Sequence, residues 1–268
     1  MTSFKPHMGI FLGLLFGTFI SNFSAVAAEQ RPRIEEQKSH LVWSGNQIRP
    51  NDCTSNIEEI DIVLPILTGL NDKKLTRKIN KHLSLESLYG SSLDAIKEEF
   101  LRCEGTIRTI GYEVIRLDNT ILSINLFMET EAAYPDQSNA YRSINLKTGD
   151  IVRPEDVFPQ AKLDDLVRLI KLKKAKIEKN DERRLGSEEL EDFQSIVGNA
   201  PSYTIEDLKN FVITEKGVRF FYNYGACHAT RALEPADSFE FTFDELEPYI
   251  KADGLLGKYA CHDKSVQN

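Results

Sequence analysis

The chain has 268 residues, 41% hydrophobic and 28% charged, which fits a globular protein of one large domain or two small ones. Its formal charge of -8 argues against nucleic acid and anionic membrane surfaces as main partners and permits a basic partner protein.

The N-terminus reads as a secretory signal. Lys5 and His7 form a short polar start, and residues 8–20 are an apolar run broken by Gly9, Gly13, Gly17 and Thr18. Ala25-Val26-Ala27-Ala28 supplies a small-residue cleavage site, with the cut expected after Ala27 or Ala28. The apolar run is shorter than the roughly 20 residues of a spanning helix. Residues 1–28 are therefore assigned as signal peptide, and the mature chain is expected to be periplasmic or secreted, with no transmembrane anchor.

Residues 29–52 are polar, carry Pro32 and Pro50, and show no sustained period; they read as a flexible leader on which Trp43 docks to the body. A single α+β domain is expected over 53–262, divisible into halves 53–152 and 153–262, followed by a tail over 263–268. Its strands should form an antiparallel-rich mixed sheet with helices packed on it. The order is strand, helix and meander, then helix, hairpin, strand and helix.

Ile60, Ile62, Leu64 and Ile66 alternate along a strand over 57–67. Gly69 to Asp72 stops it, and Asn71 or Asp72 can cap a helix in which Leu75, Ile79, His82 and Leu83 recur at helical spacing. A second helix starts at Ser92 and buries Leu93, Ile96, Phe100 and Leu101. Strands follow at 106–117 and 120–130, separated by Asp118-Asn119. Residues 131–139 read as an exposed loop suited to function. A third strand from Tyr141 turns at Thr148-Gly149-Asp150, where glycine takes positive φ without steric cost. Ile151 and Val152 make a short return. Pro154 suits a helix start, with Glu155 and Asp156 near the positive end of its dipole.

The spacing of Leu163, Leu166, Val167 and Ile170 predicts a helix over 163–178, acidic at its start and lysine-rich toward its end. A charged linker over 179–187 reads as solvated surface. One more helix is expected over 188–197, broken by Asn199-Ala200-Pro201. A hairpin pairs 211–214 with 218–224, a strand covers 239–243, and Asp244 can cap a helix over 244–250.

Read together, several segments resemble a known family. They are Leu64-Pro65-Ile66-Leu67-Thr68-Gly69-Leu70-Asn71-Asp72 leading to Ile79-Asn80, then Ile121-Leu122-Ser123-Ile124, then Ala132-Ala133-Tyr134-Pro135. After these come the hairpin Ile144-Asn145-Leu146-Lys147-Thr148-Gly149-Asp150, then Glu155-Asp156-Val157-Phe158. Phe211 to Val218, Tyr222-Asn223-Tyr224 and Asp244-Glu245-Leu246 before Tyr249-Ile250 complete the series. Their order over residues 55–251 resembles an uncharacterised extracytoplasmic domain family. It is found in lysozyme-sensing bacterial anti-sigma factors and at the N-terminus of certain peptidoglycan deacetylases. The resemblance implies an α+β fold and a binding role at the cell envelope. No transmembrane segment is expected after the signal, so inward signalling does not carry over. The chain is also expected to stop where a deacetylase domain would begin.

Cys53, Cys103, Cys227 and Cys261 are an even set in an exported chain, which indicates two disulfides. Three pairings are open; order along the chain favours Cys53 with Cys103 and Cys227 with Cys261. The repeated Cys227-His228 and Cys261-His262 pairs raise a zinc site. Neighbouring residues on a strand point to opposite faces, and the usual metal spacings are missing, so disulfides are preferred and no metal or other cofactor is assigned.

No nucleophile elbow, zinc-protease helix or phosphate loop is present, and no catalytic residue is assigned. Glu240 with Asp244 or Glu245 is the kind of carboxylate pair that cleaves glycosides, although acids at a helix start explain them more simply. Phe220, Tyr222 and Tyr224 share one strand face, and that face reads as core rather than platform. Tyr224, His228 and Arg231 lie where this strand becomes a loop; with Tyr134 they are the candidate recognition residues. The expectation is an exported non-enzymatic binding protein that recognises lysozyme or a cell-wall component such as peptidoglycan. The alternative is a peptidoglycan hydrolase or deacetylase using carboxylates or a metal.

Overall fold

The computed structural model describes residues 31–42, 57–102, 105–131 and 135–257. It has the expected α+β character, in two sheets. The larger sheet holds β1 (Arg33–Val42), β2 (Glu59–Thr68), β3 (Ile107–Leu117), β4 (Ile121–Glu131) and β5 (Pro135–Asn145), in that spatial order. β2 and β3 are parallel and the other neighbours antiparallel. A parallel pair needs a crossover. Here it is made by α1 (Lys73–His82), α2 (Leu85–Tyr89) and α3 (Leu93–Leu101).

The parallel pairing covers only Asp61 and Ile62 against Thr109 and Ile110. Further along β2 the backbone must find other partners. Asn80 of α1 provides one: its amide accepts the Leu67 N–H at 2.8 Å and donates to the Leu67 carbonyl at 3.0 Å. Ile79 beside it packs with Leu67, Leu83, Ile124 and Ile144. Asp72 caps α1 as expected, accepting from Lys74 and Leu75 N–H at 2.8 and 3.0 Å. Under α2 and α3, Ile60, Ile62 and Ile110 meet Leu85, Ile96 and Phe100. Leu101, expected in that core, is exposed.

The smaller sheet is an antiparallel meander of β6 (Phe211–Ile213), β7 (Gly217–Phe221) and β8 (Ser238–Thr242). Gly217 sits so close to β8 that a Cβ there would lie 1.8 Å from the Phe241 carbonyl oxygen. α4 (Pro154–Val157) follows the β5 turn, with the Asp156 carboxylate accepting the Arg153 N–H at 2.8 Å. α5 (Leu163–Glu182) and α6 (Ser187–Asn199) then cover the small sheet. The predicted stripe of Leu163, Leu166, Val167 and Ile170 is buried in one core with Phe158, Phe211, Phe220, Phe239 and Phe241.

The two sheets are joined through polar groups. The Ser143 and Ser123 hydroxyls are 2.8 Å apart, and Ser143 Oγ accepts the Ile213 N–H of β6 at 2.9 Å. Arg116 of β3 donates to the Thr214 carbonyl at 2.9 Å.

Five local expectations are corrected. Part of the segment read as a leader is β1, paired over all ten of its residues with β2. Its alternation was invisible because it is an edge strand with little burial. The loop expected over 131–139 is largely the first half of β5, whose residues are polar because they face a groove. The linker expected from 179 begins as the last turn of α5. The Ile151 return is a single bridge to Ile144. Finally, Thr242, not Asp244, caps the last helix, α7 (Phe243–Leu246), by accepting the Glu245 N–H. Trp43 lies outside the described residues.

Candidate functional site

A groove of about 990 Å³ opens along the seam of the two sheets. One wall is β5 from Pro135 to Arg142 and the adjoining end of β4 from Glu129 to Glu131; the other is the end of β7 and the chain after it. Alternation along β5 sends Tyr141 toward β7 and Arg142 to the opposite face. Tyr141 stacks on Phe221, ring centroids 3.8 Å apart and planes 13° from parallel. Arg142 reaches under the sheet to α2, donating to the Ser87 carbonyl and hydroxyl at 2.7 and 2.9 Å. The side wall is thereby fixed to the helical layer.

Ion pairs cross the groove or rim it. Arg231 pairs with Asp136, so the chain after β7 is tied to the start of β5. Arg108 and Glu131 meet at 3.2 Å. Glu234 accepts the Ala226 N–H at 3.1 Å, and Asn223 accepts the Gly225 N–H at 2.8 Å. Such exposed pairs hold shape more than they stabilise.

Tyr222 and Tyr224 form the back of the groove, their rings edge-on at 4.8 Å. Lys174 of α5 lies 4.6 and 4.7 Å from the two ring centres and pairs with Glu178. A cation over aromatic faces is electrostatically favourable. Burial, then the Glu178 carboxylate, push the Tyr224 hydroxyl pKa well up.

The four candidate recognition residues fare differently. Tyr224 lines the groove, but its ring belongs to the main core. Arg231 is exposed in the groove wall. The backbone of His228 opens a 3-10 turn, while its side chain lies outside the described residues, as does Tyr134. Cys53, Cys103 and Cys261 also fall outside, and so do the pairings expected for them. Cys227 is exposed at the start of that same turn. Among the described residues no three His, Cys, Asp or Glu side chains are grouped to hold a metal, and no helix is long and apolar enough to cross a membrane. Glu240, weighed as an acid, is committed instead to Thr214 and Arg219 at 3.1 Å each.

Sequence reading missed Asp136, Tyr141, Phe221 and Asp237 as groove residues. Asp237 lies on the far wall, and its backbone carbonyl accepts the Tyr222 N–H at 2.8 Å. Desolvation against the groove wall raises its carboxyl pKa above the usual value. An acid raised on folding favours the folded state at low pH; that contribution declines as pH climbs from the unfolded through the folded pKa. Asp237→Asn is therefore expected to gain stability relative to the parent between acid and neutral pH. Denaturation curves at a series of pH values check this, and a neutral-pH loss would contradict it.

The fold and groove define a class: a two-sheet α+β module with an open polar cleft at the seam. Solved structures of similar fold include two members of the DUF3298 family. One, from Bacteroides fragilis NCTC 9343, is 14% identical; the match covers 85% of this chain and 98% of that one, with a TM-score of 0.60. A second, from Pseudomonas aeruginosa PAO1, is 12% identical over 83% of this chain and 96% of that one, with a TM-score of 0.54. At these identities the likeness is one of fold. No family model and no curated protein matches the sequence.

Proposed function

We propose that this chain is an exported, non-enzymatic binding protein of the bacterial envelope, with the groove as its ligand site and a lysozyme or a peptidoglycan component as its partner. The observation that carries the reading is the groove itself. It is open and large, walled by an aromatic stack and by acids already paired with arginines. A wall of this kind suits recognition of a polar surface or chain. The signal-like N-terminus supports export, and the sequence resemblance supports the envelope. A net charge of -8 suits a basic lysozyme and would speed encounter more than it fixes specificity.

The test is retention of purified protein on immobilised lysozymes and on peptidoglycan at increasing salt. Retention on lysozyme that weakens with salt is expected. Absence of retention on either material at low salt would remove the proposal.

The hydrolase or deacetylase alternative has one observation in its favour, the raised carboxyl of Asp237 in a cleft. Release of reducing sugar or acetate from peptidoglycan, lost in Asp237→Asn, would put that alternative first.

A further inference from the structure

β5 ends the larger sheet, and part of its outer edge is occupied. The Ser143 carbonyl accepts the Val152 N–H at 2.8 Å, and the Asn145 N–H donates to the Asp150 carbonyl at 2.9 Å. The ladder between β4 and β5 runs from Pro135 to Asn145 without a bulge. Backbone groups of an antiparallel strand alternate between its two sides. Residues of the same parity as Ser143 and Asn145 therefore turn their N–H and C=O away from β4, and these are Tyr141, Asn139 and Gln137. All three line the groove.

The Gln137 N–H is taken by the Asp136 carboxylate at 2.8 Å. Among the described residues, the N–H groups of Asn139 and Tyr141 and the carbonyls of Gln137, Asn139 and Tyr141 have no protein partner. Free strand edges are usually shortened, bulged or covered. This one is straight for about 14 Å, at ~3.4 Å per residue. It is also recessed: the chain carrying Asn223, Glu234 and Asp237 lines the same groove. A recessed edge admits one extended segment more readily than the rim of another sheet.

The charges select a segment. Arg108 and Arg231 are paired with Glu131 and Asp136, and Arg142 is held by α2. The lining carries five acids and four bases; with Arg142 drawn toward α2 on the far face of the sheet, its charge uncancelled, Glu129, Glu234 and Asp237 face the groove beside Lys209. We propose that the β5 edge from Gln137 to Tyr141 captures an extended, basic segment of a partner polypeptide by strand addition. The partner's backbone pairs with Asn139 and Tyr141 while its basic side chains meet Glu129 and Glu234. This rests on the binding function proposed above and names its mode.

The probe is a random peptide library displayed on phage and panned over the purified protein, with amide hydrogen exchange read on the enriched peptides. Enriched sequences are expected to be basic and to slow exchange at the Asn139 and Tyr141 amides by about tenfold or more. Two N-methylated forms of the best peptide, blocking alternate residues, are expected to differ: the form blocked on the β5-facing side loses binding and the other keeps it. Asn139→Pro removes a groove-facing N–H, together with the side-chain oxygen that accepts from the Asn125 and Gln137 amides at 2.9 and 3.1 Å, and should weaken binding by about tenfold or more. The paired peptides keep the test independent of that variant's folding. Equal binding of the two forms, or no enrichment, overturns the proposal. So does a dimer of the free protein with both amides already protected, which would put a second copy on the edge. Retention on lysozyme or peptidoglycan with unchanged exchange at Asn139 and Tyr141 would remove strand addition and keep the binding function. Peptide protection without such retention would do the reverse.

Discussion

Phe220→Ala is expected to lower the free energy of unfolding by about 3–5 kcal/mol, the range for deleting a fully buried aromatic ring. Phe220 is the centre of the aromatic core. Its ring lies 6.0 Å from Phe158, 6.1 Å from Phe211 and 6.0 Å from Phe241. These neighbours come from the segment after α4, from β6 and from β8, so one deletion loosens three elements. The residues around the hole are large and mutually wedged, and a site that cannot collapse loses most. Domains have only about 5–15 kcal/mol in total. The loss would thus be a large part of the whole, read as a shift in urea midpoint with little change in slope. Phe220→Leu, which leaves a smaller hole, should lose less. A loss under about 1 kcal/mol would mean that the small sheet packs far more loosely than its ring contacts indicate.

The consequence for the groove is direct. Phe221 and Tyr222 follow Phe220 on the same strand end, one stacked on Tyr141 and the other at the back of the cleft. Phe220 holds the strand from inside while its neighbour forms the wall outside. A variant weakened here should bind less ligand as well as unfold sooner.

The parts of this architecture that could be read from sequence are those where burial imposes a period. The stripe of α5, the alternating Phe220 and Tyr222, the Asp72 cap and the glycine turn at Gly149 all follow from one buried face or one required φ. Gly149 is at φ +73 with Leu75 pressed against it. The strands that escaped notice lie on edges. β1 is almost wholly exposed, and β5 from Pro135 to Tyr141 is polar because its outer side is the groove. Pairing by backbone leaves no mark on hydropathy, so a strand held mainly by its ladder looks like a loop. The site shares this difficulty. Arg231 was legible as a charged residue where a strand gives way to loop. Its partner Asp136, 95 residues away, was not, since nothing local announces a contact made across two sheets. The same applies to Tyr141 against Phe221.

Arg116→Met is expected to lower stability by about 2–3 kcal/mol and to weaken the junction of the two sheets. Arg116 is 4% exposed, and its guanidinium meets Asp118 at 2.6 and 3.0 Å while donating to the Thr214 carbonyl at 2.9 Å. Asp118 in turn accepts the Thr120 N–H at 2.6 Å and the Ile121 N–H at 2.9 Å, closing the turn between β3 and β4. Methionine fills much of the volume but offers no donor, leaving the Thr214 carbonyl and the carboxylate without their buried partner; hydrogen bonds to charged groups contribute about 1.5–3 kcal/mol each. Asp118 keeps its backbone donors and some access to water, which holds the loss to the lower part of that sum. Arg116→Lys preserves charge but cannot serve two directions with a planar fork, so it should recover little. The informative readout is cooperativity. With the junction intact, fluorescence and far-UV dichroism should report one transition. In Arg116→Met, the small sheet, whose core holds most of the buried aromatic rings among the described residues, should separate from the larger one and give non-coincident transitions. A single transition at the parental midpoint would show that the remaining contacts, those of Ser143, of Tyr141 with Phe221 and of Arg231 with Asp136, suffice to couple the sheets, and that the groove between them does not depend on Arg116.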